Sequence, residues 1–475
     1  MNILILVNPA KNYKPFFFGI AKSLATLGHH IYYAYDTKKT VILTPIPEMD
    51  LSENAFFFDE YLKNNPNPSN QNYQFDCTWG EYFYSDFDRF LTHGYNLSRH
   101  SDEWIATRKQ LDGFFHDIIS KHHIDLVLYE NISNSFEYAA YRICKLLNKQ
   151  YFGLISARIP NRYEIQTSIL DDMLADLKAS KQTPPQQDEL DWYQDYKTNI
   201  NKIEPDYMKN NALENVGIFN KIDKSLMKKI IHSFMADYHY GGRFDYASGS
   251  LVFRLLSSIK THLSRKINVS LTNQFFIKNN VVDSIKLKEK YYVYPMHYHP
   301  ESSTSVLAPE YTDEFHNILN IANHLPFGTF LYVKDHRSAK GLNDYAFYKK
   351  LSALPNVKFV QANYNIKDLI KHSLGLITVN STAGFEALFL EKPVYLLGNV
   401  FYQDFDNVFR LENFHSLKTV LDTNYVFKEN PIDAISYKRL TFAGKLDFNA
   451  LDYDENKAIF DDIAFNIHNK YYLNT

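Results

Sequence analysis

Only two cysteines, Cys77 and Cys144, occur in the 475 residues. They cannot form a disulfide framework and neither has a partner at metal-ligand spacing, so a reducing cytoplasm is expected. No run of about 18 apolar residues is present, so no membrane-spanning helix is expected. The opening MNILILVNPA is too short, and lacks the cationic start, of a secretory signal. Charge of one sign is missing too. A formal charge of −3 argues against a general nucleic-acid binder, while leaving room for a local basic patch.

What is present is globular: 45% hydrophobic and 22% charged residues, in a chain too long for one ordinary core. NILILVNP (2–9) reads as a buried strand. FFFGIAKSLATLGHHIYYAYD then gives a helix and a second strand ending near Asp36. Helices are expected over 103–121 and 133–147, and strands over IDLVLYEN and QYFGLIS. Residues 1–164 therefore read as one α/β domain. From 165 to 288 helical periodicity continues without alternating strands, as in LDDMLADLKASK and DKSLMKKIIHSFMADY, so this stretch reads as a mostly helical insertion. Within it LVFRLLSSIKTHLSRKI sets Arg254, Lys260, Arg265 and Lys266 beside Leu and Ile; such a helix either packs on its own protein or lies on an anionic membrane. From 289 to 430 strand and helix alternate five times, the pattern of a second doubly wound domain. Residues 431–475 end in a helix expected to pack back toward the first domain.

In an open parallel sheet, ligands bind beyond the carboxyl ends of the strands. Four such ends in the second half carry polar groups, at 295–305, 334–341, 361–365 and 380–384. Ser381 and Thr382 start a helix, where N–H groups and the dipole favour an anion; Gly384 would permit close approach, and Glu386 could bind ribose hydroxyls. Alternatively Ser381 or Thr382 is an ordinary N-cap. In VKDHRSAKG, Lys334, His336, Arg337 and Lys340 crowd one strand end and would repel one another unless an anion balances them. The alternative is a solvated basic turn. His336 could also protonate a leaving phosphate. His297, His299 and Glu301 hint at a metal, but no fourth ligand has a convincing spacing, so nucleotide-sugar contacts are preferred and no metal is expected. Asn363 lies where a base could be flanked. In the first half Glu130 ends a strand and could serve as a general base or simply answer a helix dipole. Asn131 and Asn134 could bind sugar hydroxyls. Ser156, Arg158 and Arg162 could bind an acceptor carboxylate or phosphate, or pair with local acids.

Three stretches, YPMHYHPESSTS…APEY, YVKDHRSAKG and TVNSTAGFEALFLEKPVYLLG, resemble the bacterial capsule polysaccharide biosynthesis proteins, a family that includes Kdo transferases. The resemblance is best over 291–400 and extends more loosely to YEN…ICKLLNKQYFGLISARIPNRY. It implies a GT-B fold, two Rossmann-like domains facing across a cleft, the first binding acceptor and the second the nucleotide sugar. The family's Lys-Glu-His-Pro element is similar to Lys334-Asp335-His336-Arg337, with Arg in place of Pro, and its Ser/Thr-Gly-x-Glu element to Thr382 through Glu386. Bacterial sialyltransferases of that fold use a similar pair of elements around the phosphate of CMP. The resemblance thus implies a glycosyltransferase of capsule or lipopolysaccharide synthesis, moving an acidic ulosonic acid such as Kdo, or a sialic-acid-like sugar, from a CMP donor to a surface glycan or glycolipid. It needs no cofactor beyond that substrate and works in the cytoplasm or at the inner face of the membrane, beside capsule assembly proteins. Rival readings are a teichoic-acid-type glycerophosphotransferase or UDP-sugar epimerase on the same fold, and a non-catalytic glycan-binding or assembly scaffold.

Overall fold

A computed structural model describes residues 1–8, 12–65, 77–93, 100–206, 231, 234–235, 251–422, 424–450 and 452–473. The helix expected over 223–238 lies outside these apart from 231, 234 and 235, which are helical. Two α/β units are present; among the described residues one holds those of 1–172, 231, 234–235, 251–258 and 441–473, the other those of 173–206 and 259–440.

The first unit is built on β1 (Asn2–Val7), β2 (His30–Tyr35), β3 (Ala55–Phe57), β4 (Leu126–Glu130), β5 (Gln150–Ser156) and β6 (Arg162–Gln166). β1 is a continuous apolar run and is buried on both faces, as a central parallel strand must be. The order runs β3-β2-β1-β4-β5, all parallel, then β6 and a two-residue strand at Phe442–Ala443 added antiparallel. The order in which strands are added therefore reverses between β1 and β4, the usual place for a ligand crevice. The C-terminal helix Lys457–Leu473 packs on the helix Tyr13–Thr26 so closely that a Cβ on Gly19 would sit 2.5 Å from the Phe460 ring.

The second unit contains β7 (Phe276–Ile277), β8 (Tyr291–Pro295), β9 (Phe330–Lys334), β10 (Val357–Val360), β11 (Gly375–Thr378), β12 (Val394–Leu396) and β13 (Val408–Arg410). Their order is β7-β10-β9-β8-β11-β12-β13, with every pair parallel, and the reversal falls between β8 and β11. These strands are rich in tyrosine, and a buried phenol needs a hydrogen-bond partner. Tyr291 donates to the Leu369 carbonyl at 2.8 Å and Tyr294 to Glu314 at 2.8 Å, while the Tyr291 and Tyr332 rings stack 4.1 Å apart.

The sequence placed boundaries at 164, 288 and 430; the structure assigns 1–172, 219–258 and 441–475 to one unit and 173–218 and 259–440 to the other. Among its described residues the expected insertion is mostly helical, with helices at Asp171–Ser180, Gln187–Asn199 and Leu251–Thr272, but it also supplies β7 to the second sheet. Among the described residues no helix is long and apolar enough to cross a membrane.

Arg439 fastens the 180–189 segment to the second unit. Its guanidinium donates to both Glu189 carboxylate oxygens, at 2.7 and 2.6 Å, and to the carbonyls of Ser180, Thr183 and Pro184. The Arg439 hydrogen bond holds the Glu189 carboxyl down to about 2. Its folded value lies below its ordinary one, so the stabilisation is complete above about pH 4.5 and is lost as pH falls toward 2. Arg439→Leu is expected to destabilise this unit by about 2–4 kcal/mol in urea titration at pH 7, with the difference from wild type shrinking as the pH is lowered.

Candidate functional site

Beyond the carboxyl ends of β8, β9, β10 and β11 lies a cavity of about 430 Å³. Each wall has a sheet-derived reason for its place. Tyr298 and Glu301 follow β8, Lys334 through Ser338 follow β9, Asn363 through Lys367 follow β10, and Ser381, Thr382 and Glu386 follow β11. Asn201, Ile203, Glu204 and Pro205, from the end of the Gln187–Asn199 helical segment, form the remaining wall. A second cavity of about 660 Å³ shares Asp335, Arg337 and Asn363 with the first and is also lined by Lys340.

Lys334 ends β9, and its ammonium donates to the Ala362 carbonyl at 2.9 Å. Burial, reinforced by the Arg337 charge, lowers it to about 8. His336 accepts from the Ser338 backbone N–H through Nδ1 at 3.1 Å, so its neutral ring carries the proton on Nε2. Burial, with the positive neighbours His297 and Lys334, lowers it to about 4. It is thus neutral at pH 7, a hydrogen-bond donor rather than an acid. A bound anion would raise both groups, because it favours their charged forms. Asp335 sits behind them, bonded by Tyr348 at 3.2 Å and by the His336 N–H at 2.8 Å, and burial raises it to about 6.

At the start of helix Thr382–Phe389, Ser381 is the N-cap, accepting from the Ala383 N–H at 3.2 Å, and its carbonyl takes the Gly384 N–H at 2.9 Å. Part of the helix mouth is therefore satisfied by its own cap. None of these bonds uses the Ser381 hydroxyl proton, and both Ser381 and Thr382 line the cavity. Glu386 is buried there with Lys367 at 3.2 Å. Burial raises the Glu386 carboxyl and Lys367 opposes that shift.

The expectations for His297, His299 and Gly384 need correction. His297 and His299 do not line the cavity. They turn onto the buried Glu314, with His297 Nδ1 at 3.2 Å and His299 Nε2 at 3.5 Å. A buried carboxylate needs such partners. Against the burial that would raise it, the histidine bonds and charges hold Glu314 well below the usual range. Gly384 leaves room for Tyr402 rather than for a ligand. A Cβ there would meet the Tyr402 hydroxyl at 2.2 Å, and that hydroxyl secures the helix start by donating to the Ser381 carbonyl at 2.5 Å. Among the described residues, no three His, Cys, Asp or Glu side chains are grouped to hold a metal ion.

In the first unit, Glu130 is half-buried at the end of β4, hydrogen-bonded to the Tyr13 phenol. Asn131 follows it, backed by Gly153, where a Cβ would meet the Asn131 Cα at 3.1 Å. Asn134 is a helix cap, accepting from Phe136 N–H at 3.0 Å and Glu137 N–H at 3.3 Å. Ser156 is buried and its carbonyl lies 3.4 Å from Arg158. Arg162 is committed to Thr441, with Nε 2.6 Å from the hydroxyl and a further bond to the carbonyl. The pairing of Arg158 and Arg162 as one anion site is therefore not met, because Arg162 holds the returning C-terminal strand.

Sequence reasoning missed Lys367. Besides meeting Glu386, its ammonium donates to the carbonyls of Ile200, at 2.9 Å, and Ile203. One signal was available: Lys367 stands in the first turn of helix Ile366–Lys371, where a cation opposes the dipole.

Two parallel-rich α/β units of this order define a GT-B-like chain. Residues 227–405 match the model of a family described as capsule polysaccharide biosynthesis protein, the family whose pattern the sequence resembles. That stretch contains both Lys334–Arg337 and Thr382–Glu386. The capsule polysaccharide modification proteins LipB of Neisseria meningitidis serogroup A and serogroup B are each 29% identical over 92 residues, 18% of this chain and 22% of theirs. The chain thus spans about a fifth of the length of these curated relatives, 22%. Among solved structures, the β-Kdo 2,7 transferase KpsC of Thermosulfurimonas dismutans is similar over 68% of this chain and 79% of its own, at 12% identity and a TM-score of 0.32. UDP-GlcNAc 2-epimerase of Methanocaldococcus jannaschii is similar over 93% and 98%, at 10% identity and a TM-score of 0.26.

Lys367→Met would strand a buried carboxylate and release the 200–203 backbone. It is expected to lower stability by about 3–5 kcal/mol in denaturant titration, whereas Lys367→Met combined with Glu386→Gln should recover a good part of that loss.

Proposed function

We propose that the chain is a nucleotide-sugar-dependent glycosyltransferase of capsule or lipopolysaccharide synthesis, taking an acidic ulosonic acid from a CMP donor. One observation carries this reading. Lys334, His336 and Arg337 share a single cavity with the Ser381–Thr382 helix start, outside the switch point of a doubly wound sheet. The capsule-family match over the same residues agrees with it.

In this reading the donor phosphate lies between Lys334, Arg337, the His336 Nε2–H and the Ser381 hydroxyl. Glu386 and Asn363 face the ribose and base. The acceptor hydroxyl loses its proton to Glu130 as its oxygen bonds to the anomeric carbon. The bond from that carbon to the phosphate oxygen breaks, and CMP leaves as a monoester. The charge gathering on the phosphate is where fixed donors contribute most. No metal takes part in this scheme. His336, neutral beforehand, strengthens its hydrogen bond as that charge develops. Tyr13, bonded to Glu130, would keep the base oriented.

Ser381→Ala with Thr382→Ala is expected to remove a cap worth about 1 kcal/mol, leaving a folded protein, and to weaken CMP binding by about 1–3 kcal/mol in calorimetry. Unchanged affinity would remove the phosphate site. Within the same assay, release of CMP from CMP-Kdo but no turnover of CDP-glycerol separates sugar from glycerophosphate transfer. A UDP-sugar that changes configuration without acceptor identifies an epimerase instead. Glu130→Gln should keep nucleotide binding and lose transfer by a factor of about 100 or more. Wild-type rates in that variant eliminate Glu130 as the base.

A further inference from the structure

The helix Leu251–Thr272 has two unlike faces. Its inward face is bonded to the loop that carries the cavity's cations. Arg265 donates to the carbonyls of Ser338, at 2.7 Å, and Lys340, at 3.1 Å, and Asn268 donates to that of Gly341 at 3.0 Å. The fit is close: a Cβ on Gly341 would fall 2.5 Å from the Arg265 carbonyl oxygen.

The outward face is apolar. Ile259, Leu263, Ile267 and Leu271 recur every fourth residue and are 58%, 49%, 58% and 47% exposed. At 1.5 Å and 100° per residue they form a stripe about 18 Å long and about 120° wide. Four large aliphatic side chains in one row are more than the scattered exposure of an ordinary surface. Lys260 and Lys266 are exposed at the flanks of this stripe, His262 is exposed beside it, and residues 251–272 contain no Asp or Glu.

We propose that this face is a docking surface for an anionic lipid bilayer. Charge decides between the occupants. An apolar row edged only by cations matches a negatively charged headgroup layer, into which the aliphatic chains dip while the lysines stay at phosphate level. A second copy of the same face would set like charges against like. Because Arg265 and Asn268 hold residues 338–341, a docked helix brings the His336–Arg337 cavity beside the lipid. On the glycosyl-transfer reading, that would let the site reach an acceptor with a lipid anchor.

The test is flotation of the full chain, without nucleotide, on vesicles of phosphatidylcholine alone and of phosphatidylcholine with 30% phosphatidylglycerol. Binding is expected to the anionic vesicles only, and to fall away at 0.5 M salt. Lys260→Gln with Lys266→Gln should weaken it by about 25-fold, since each lysine near such a surface contributes about fivefold. Ile259→Ser with Leu263→Ser and Ile267→Ser should abolish it while leaving thermal unfolding and CMP affinity as in wild type. Equal binding to neutral vesicles, no binding to either kind, or full binding by the triple serine variant overturns the proposal. So does a wild-type dimer that the serine variant dissociates. CMP affinity, measured separately in solution, reports on the nucleotide site, so failure of either reading leaves the other distinguishable.

Discussion

Lys367 holds its ammonium out of water, and the candidate site depends on how that charge is answered. The side chain is buried, Glu386 supplies the counter-charge at 3.2 Å, and two backbone carbonyls, of Ile200 and Ile203, accept hydrogen bonds from the ammonium. Each group needs the others. Remove the lysine and a carboxylate is stranded in a buried site; remove the carbonyls and the ammonium keeps only Glu386 of these three partners. The buried pair therefore does its work through geometry, joining a segment outside the sheet to the helix that follows β11.

The same low-dielectric surroundings govern the other side of the cavity. Lys334 and His336 both lose affinity for protons because water is excluded from them and positive neighbours are close. On the glycosyl-transfer reading, the donor phosphate would favour the charged forms of both groups. Four acidic side chains also line this cavity: Glu204, Glu301, Asp335 and Glu386. Glu386 is answered by Lys367, and Asp335 by Tyr348 and a backbone N–H. Two of the four acids are therefore already engaged by groups other than Lys334 and His336.

The doubly wound halves were legible because a central parallel strand is buried on both faces and so is written as an unbroken apolar run: NILILV, YYVYP, LGLIT. The short edge strands were not. β6 pairs with residues 442–443, far away in the chain, and no local pattern announces a two-residue strand. Within the site, residue types at strand ends were readable, but directions were not. His297 and His299 turn away because Glu314, on a later helix, needs them. Gly384 was assigned to a ligand when its space belongs to Tyr402, and Arg162 to an anion when it belongs to Thr441. In each case the deciding partner lies tens of residues away or on another element, beyond the reach of spacing arguments.

The cavity wall at 201–205 lies outside the family-matched stretch, which begins at 227. Lys367, inside that stretch, grips the wall through carbonyl oxygens, and a lysine that binds carbonyls reads no side chain. Asn201, Ile203, Glu204 and Pro205 could therefore be exchanged for other residues without loosening the wall, provided its backbone path is kept. On the glycosyl-transfer reading the Lys334–Ser381 side of the cavity is constrained differently, because Lys334, His336 and Ser381 would each act through its own side chain. A site divided in this way can keep its phosphate chemistry fixed while the shape of the opposite wall changes. On the glycosyl-transfer reading, selectivity among sugars or bases would then reside in 201–205 rather than in the residues that made the family resemblance visible.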